Sequence, residues 1–190
     1  MSQLFVLESY ISLASQDGAE LKVLCHAYNT FVNEVIPQLG NLNKHVIHGD
    51  LNDENILVIP NQSGDGHEIS SVIDFGDSSV NYRLFEVAIC MMYMILVRVK
   101  QGDAYDVAIR VVGHVLCGYQ SVYALSHSEL SLLYWSIAAR FFQSIVIGMY
   151  KQSLEPKNIY LSQTSRLGLK ILSSYIALSG EEVLSSWMSI

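Results

Sequence analysis

Along most of this chain apolar residues return at three- and four-residue steps, the spacing of a single helical face. Leu21, Leu24, Cys25, Tyr28, Phe31, Val32 and Val35 form one such stripe. It predicts a helix from about Ala19 to Val35, ended by Pro37 and Gly40. Leu4, Leu7, Ile11 and Ala14 predict a shorter helix before it, roughly Gln3 to Ala14. After Tyr82 the helical spacing resumes. Helices are expected near 83–99, 104–123, 128–150, 161–178 and 181–189, with Asp103 and Ser128 as N-caps and Gly180 separating the last two. Between these blocks the period changes. Val46-Ile47, Ile56 to Ile59 and Ile69 to Ile73 are short β-branched runs that read as buried strand. The turn-rich stretch PNQSGDGHE joins the last two into a hairpin. The expected fold is α+β and mostly α, one domain over residues 1–190, with a small β-hairpin carrying the polar loops.

Two polar clusters interrupt this pattern. HVIHGDLNDENILV, residues 45–58, sets His48, Asp50, Asn52, Asp53 and Asn55 inside an apolar run. Ile73-Asp74-Phe75-Gly76-Asp77 follows across the hairpin. A catalytic Asp, a following Asn, a hairpin and then Asp-Phe-Gly is the order found in a kinase C-terminal lobe. Phosphoryl transfer needs a carboxylate to orient the attacking hydroxyl and accept its proton, and Asp50 suits that role. Gly49 lets the backbone turn sharply beside it. His48 is expected to order the loop. Mg²⁺ prefers oxygen ligands and keeps part of its water. Asn55 offers a neutral oxygen and Asp74 a charged one, and a hairpin between them would bring both to the same metal.

Eighteen acidic against eleven basic residues give a net charge of −7, which disfavours nucleic acid or an anionic membrane as a partner. Metal ions could still carry the charge for a polyphosphate. At 51% hydrophobic the chain is apolar for its size, but the run Leu84 to Val97 is broken by Glu86 and Trp135 to Tyr150 carries Arg140 and Gln143. No secretory signal opens the chain, and a cytoplasmic protein is expected. Cys25, Cys90 and Cys117 are expected to be buried thiols. The six histidines show no zinc spacing.

The two clusters resemble the aminoglycoside phosphotransferase and choline kinase group rather than the protein kinases. Gly49 stands where protein kinases usually carry Arg, and SSVNYRLFEVAICMMYMI follows the second cluster with no room for an activation loop. Within the group the likeness is to the hydroxylysine kinases, also through the tail LSQTSRLGLKILSSYIALSG, and it covers most of the chain from Ala19 onward. The resemblance implies transfer of a phosphate from GTP or ATP to the hydroxyl of 5-hydroxylysine, a small cationic amino alcohol. It implies Asp50 as base and Asn55 and Asp74 as Mg²⁺ ligands. Asp77 would either face the cationic substrate or order its loop. Glu86 would either do the same or hold a backbone or an Arg. Arg140, Tyr134 and Trp135 could line a substrate pocket, with core packing the commoner role for the two aromatics.

One part of the kinase pattern has no counterpart upstream of His48. Kinases of this type carry a strand-rich lobe with a nucleotide-covering loop and a Lys for the phosphates. The single Gly-x-Gly, Gly64 to Gly66, lies in the hairpin turn, and Lys22 and Lys44 are not on expected strands. The chain therefore reads as a C-terminal lobe, inactive alone, with an exposed apolar face that favours self-association. The alternatives are a non-catalytic, pseudokinase-like binding module and a kinase for choline, an aminoglycoside or another amino alcohol.

Overall fold

The computed structural model describes Tyr10, residues 17–155, Lys157 and residues 159–190, the side chains of 159–164 excepted. The expected helix from Gln3 to Ala14 lies outside the described residues, Tyr10 aside. The chain is mostly helical with two small antiparallel ribbons. Helix α1, Gly18–Thr30, is capped by Asp17, whose carboxylate accepts the Ala19 N–H at 2.7 Å. It runs on through a π-turn, Phe31–Val35, and a 3₁₀ segment, Ile36–Asn41, so the stripe reaches Val35 as expected while the backbone winding changes.

Strands β1, Lys44–Ile47, β2, Ile56–Pro60, β3, His67–Val72, and β4, Ser79–Tyr82, follow. The hairpin β2–β3 forms where expected, with a bulge at Leu57/Val58. The sequence reading of a single hairpin is corrected, because β1 also pairs with β4 and sets Val46 opposite Val80. Strand β4 escapes detection because Ser79-Val80-Asn81-Tyr82 has only one β-branched residue. The expectation of buried strands is also corrected. Ile47 is buried, but Val46, Val80, Leu57, Val58, Ile59 and Ile69 are exposed. Two-stranded ribbons have two faces and too few neighbours to cover both.

The remaining helices are α2, Arg83–Lys100, α3, Tyr105–Val111, α4, Gly113–Val122, α5, His127–Leu154, α6, Ile159–Ile176, and α7, Gly180–Met188. Helix α5 lies at the centre, packed on α2, α6 and α1. By length and composition α5 could cross a membrane, but 61% of its most apolar window is buried inside the fold. Tyr134 and Tyr175 tie α5 to α6: their rings stack at 4.5 Å, and each hydroxyl donates to the other's backbone carbonyl.

Three local expectations change. The helix expected over 104–123 is two helices, because Trp187 Nε1 donates to the Ile109 carbonyl at 2.7 Å and takes an acceptor the helix would use. Gly113 follows at the break, where a Cβ would fall 2.8 Å from Trp187 Cδ1. Ser126, not Ser128, caps α5 in a capping box with Glu129. Asp103 does not cap α3, since Arg98 holds its carboxylate at 2.6 Å and Ala104 is the N-cap. Of the thiols only Cys90 is buried; Cys25 is half-buried and Cys117 exposed.

Candidate active site

The loop after β1 turns on Gly49, at φ 87°. A Cβ there would sit 2.6 Å from the Asp77 carbonyl oxygen, so the turn Phe75–Asp77 can close on the loop only against glycine. Glu86, in the first turn of α2, holds the same loop from the helix side. Its Oε2 accepts the His48 N–H in a short hydrogen bond and the Gly49 N–H at 3.3 Å. Of the two roles open to Glu86, the structure places it on the backbone.

His48 links both polar clusters. Its Nε2 lies 2.8 Å from the Ile73 carbonyl, and its Nδ1 accepts the Asp50 N–H at 3.3 Å. A carbonyl only accepts, so this geometry needs the neutral ring with its proton on Nε2. The ring also rests on Phe75, 4.8 Å between centroids. His48 thus touches both polar clusters.

Both carboxylate oxygens of Asp50 are held. Oδ1 accepts Arg140 Nη2 at 2.7 Å and Oδ2 accepts Asn52 Nδ2 at 3.0 Å. Arg140 reaches across from α5. Its Nη2 also donates to the Tyr93 hydroxyl at 3.0 Å and its Nη1 to Gln143 Oε1 at 2.8 Å. Arg140, raised by the sequence as a substrate contact, is thus engaged by the Asp50 carboxylate. Burial pushes the Tyr93 phenol up; Arg140 pulls against that and the Asp50 charge adds to it.

Asn52 caps the 3₁₀ turn Asp53–Asn55, accepting the N–H groups of Glu54 and Asn55. Asn55 is buried. Its Nδ2 donates to the Asp50 carbonyl at 2.9 Å, and its backbone carbonyl accepts the Ile73 N–H at 3.0 Å. The hairpin therefore brings Asn55 beside the residue preceding Asp74. Asp74 holds a left-handed backbone, φ 63°, uncommon without glycine and typical of functional turns. Gly76 leaves room for its carboxylate, since a Cβ there would lie 3.3 Å from Asp74 Oδ1.

These residues fit Mg²⁺. Asn55 spends its amide nitrogen on Asp50 and leaves Oδ1 for a cation, and Asp74, at the head of its turn, has a carboxylate that makes no capping hydrogen bond among the described residues. Among the described residues no three His, Cys, Asp or Glu cluster to form a metal cage. Such a pair suits an ion that takes its other ligands from phosphate and water.

Two cavities flank the Asp50–Arg140 pair and share Asp77, Arg140 and Gln143 as walls. One, about 430 Å³, reaches from Gly49 to Phe85 and Ser136. The other, about 350 Å³, runs from Asp50 along α5 to Lys151. Asp77 is exposed at their shared rim. Tyr134 is a core residue and Trp135 packs edge-on against His26, 5.3 Å between centroids. Tyr93, Gln143 and Lys151 were not singled out from the sequence. Tyr93 sits in the most apolar run of the chain, and no local motif distinguishes a polar partner of the site there.

A model of the phosphotransferase enzyme family matches residues 10–122. The chain belongs to the phosphotransferase enzyme family. The matched stretch contains Asp50, Asn55 and Asp74, while Arg140 and Lys151 lie beyond it. Over 186 residues the chain is 35% identical to the hydroxylysine kinase of Mus musculus, covering 96% of this chain and 47% of that protein. The Danio rerio hydroxylysine kinase is 34% identical over 183 residues, 96% of this chain and 49% of the relative. That of Xenopus laevis is 36% identical over 165 residues, 84% and 41% respectively. The chain spans about half the length of the curated relatives it matches. No solved structure matches it.

Proposed function

We propose that this chain carries the acceptor and metal side of a small-molecule kinase, which transfers the γ-phosphate of GTP or ATP to the hydroxyl of 5-hydroxylysine. The observation that supports it most is one hydrogen-bonded unit. Asn55 donates to the Asp50 carbonyl and accepts from Ile73, so the base and the two metal-side residues belong to one rigid element. The relatives named above carry the same activity in their names, which favours this acceptor over choline or an aminoglycoside.

In this reading Asp50 receives the proton of the acceptor hydroxyl and aims its oxygen at the phosphate. Arg140 and Asn52 fix the carboxylate rotamer, so little reorientation remains when the acceptor arrives. Asn55 Oδ1 and the Asp74 carboxylate would hold Mg²⁺, which when bound neutralises charge on the transferring phosphate. Asp77, exposed beside the base, would face the acceptor ammonium. His48 and Glu86 act through the loop backbone and touch neither substrate.

The nucleotide clamp is not found among the described residues. Each transition-state donor that such a clamp supplies is worth about 2.7–4 kcal/mol of barrier, so transfer should be much faster in its presence. The test measures phosphate transfer from labelled GTP and ATP to 5-hydroxylysine. It uses the chain alone and the chain mixed with the part of the mouse relative that it does not cover. Transfer that needs the mixture and disappears with Asp50→Asn supports the reading. Transfer that survives Asp50→Asn overturns it. A pseudokinase-like module would show Mg²⁺-dependent nucleotide binding with no transfer in either sample.

A further inference from the structure

The 350 Å³ cavity beside Asp50 has a direction set by helix α5. Arg140, Ser144, Ile147 and Lys151 all line it. Their spacing of four, three and four residues keeps them on one helical stripe. Arg140 and Lys151 are three turns apart, a rise of about 16 Å. The floor is made of small residues where α5 and α6 approach. A Cβ on Gly148 would fall 2.3 Å from Ser165 Oγ, and one on Gly168 would fall 3.2 Å from Ile145 Cγ1. The result is a narrow trough with unlike ends. At one end are Asp50, with its Arg140 partner, and Asp77. At the other is the exposed ammonium of Lys151, which no carboxylate pairs among the described residues.

We infer that Lys151 is a specificity residue that binds the carboxylate of a zwitterionic amino-acid acceptor, whose hydroxyl lies at Asp50. This rests on the acceptor reading above and adds to it a second anchor at the far end. The dimensions agree. From side-chain hydroxyl to carboxylate, an extended six-carbon amino acid spans roughly 7 Å. A hydrogen bond of about 3 Å at each end brings the span near 13 Å, comparable with the trough. The Lys151 side chain leans toward the helix N-terminus, hence toward Arg140. Arg140 cannot serve as this anchor, because its Nη2 and Nη1 are engaged by Asp50, Tyr93 and Gln143. A diamine or choline-like alcohol would leave Lys151 without a counter-charge, so the trough selects for the carboxylate as well as the hydroxyl.

Calorimetric titration of the full chain with 5-hydroxylysine and with its decarboxylated analogue, 1,5-diaminopentan-2-ol, tests this. The wild-type chain should bind the amino acid about tenfold more tightly. Lys151→Met should bring the two affinities together by weakening the amino acid alone, and Lys151→Arg should keep the preference. Lys151 is exposed, so unchanged melting of both variants accompanies that result. Equal affinities in the wild type, or a preference that survives Lys151→Met, would overturn the assignment while leaving the acceptor site in place. If neither ligand binds the wild type at millimolar concentration, the acceptor reading falls and this one with it.

Discussion

Arg140 Nη2 lies 2.7 Å from Asp50 Oδ1, a contact between residues ninety positions apart that joins α5 to the loop after β1. The guanidinium is held in turn by Tyr93 and Gln143, so the Asp50 carboxylate is oriented by a network on two helices. Misplacing a catalytic group by an ångström can cost about a hundredfold in rate. Arg140→Met is therefore expected to lower kcat by roughly ten- to a hundredfold in the complemented enzyme, with the nucleotide KM unchanged. Arg140→Lys should recover part of that. Steady-state kinetics with varied GTP or ATP decides it; an equal rise in nucleotide KM would place Arg140 elsewhere.

Glu86 supports the same loop through its backbone. Oε2 accepts two N–H groups, and hydrogen bonds to a charged group contribute about 1.5–3 kcal/mol. Glu86→Ala is expected to destabilise the chain by about 2–3 kcal/mol, Glu86→Gln by less, since an amide oxygen still accepts. Urea unfolding measures this. Equal losses for both variants would mean that packing, not the loop contact, is what Glu86 provides.

Gly49 has two constraints, a positive φ and no space for a side chain. Gly49→Ala is expected to abolish transfer while Gly64→Ala, also at positive φ but with open space around it, leaves activity near wild type. Comparable activity in the two variants would contradict the close approach of Asp77.

Burial raises the phenols of Tyr134, to about 12, and of Tyr175 and Tyr93. A phenol whose folded pKa lies above its ordinary 10.0 favours the folded state while it is neutral. That stabilisation is whole below pH 10 and is lost as pH rises toward 12. Melting temperature should fall over that window, and tyrosinate absorbance should appear in two phases, the second coincident with unfolding. A single phase at ordinary pKa would show these phenols to be open to solvent.

Val46 and Val80 face each other across β1 and β4, and both are largely exposed, as are Ile69 and Phe75. An apolar surface of this kind promotes association. Light scattering should show concentration-dependent self-association that the double variant Val46→Ser, Val80→Ser reduces. A stable monomer throughout the range would remove this expectation.

The helical stripes were legible because burial imposes a period on the sequence, the β2–β3 hairpin because β-branched runs flank a turn-rich stretch, and the approach of Asn55 to the residue before Asp74 because that hairpin brings its two ends together. What was hidden depends on contacts between distant segments. Strand β4 exists because β1 needs a partner, not because Ser79 or Asn81 prefers extended backbone. The break at Gly113 is set by Trp187, more than seventy positions along. Asp103 reads as a cap until Arg98 is seen to take its carboxylate. Tyr93 and Lys151 belong to the site by their places on helix faces that meet only in three dimensions. Cys117 shows that an apolar neighbourhood in sequence need not be an apolar neighbourhood in space.

Asn55 and Asp74 are proposed to hold the metal beside Asp50. The most direct test adds Mn²⁺, a paramagnetic stand-in for Mg²⁺, with GTP to the isotope-labelled chain and follows amide line broadening by NMR. Signals of Asn55, Asp74 and their immediate neighbours are expected to vanish first, and Asp74→Asn to remove the effect. Broadening centred on surface acids such as Glu181 and Glu182, unchanged by Asp74→Asn, would contradict it.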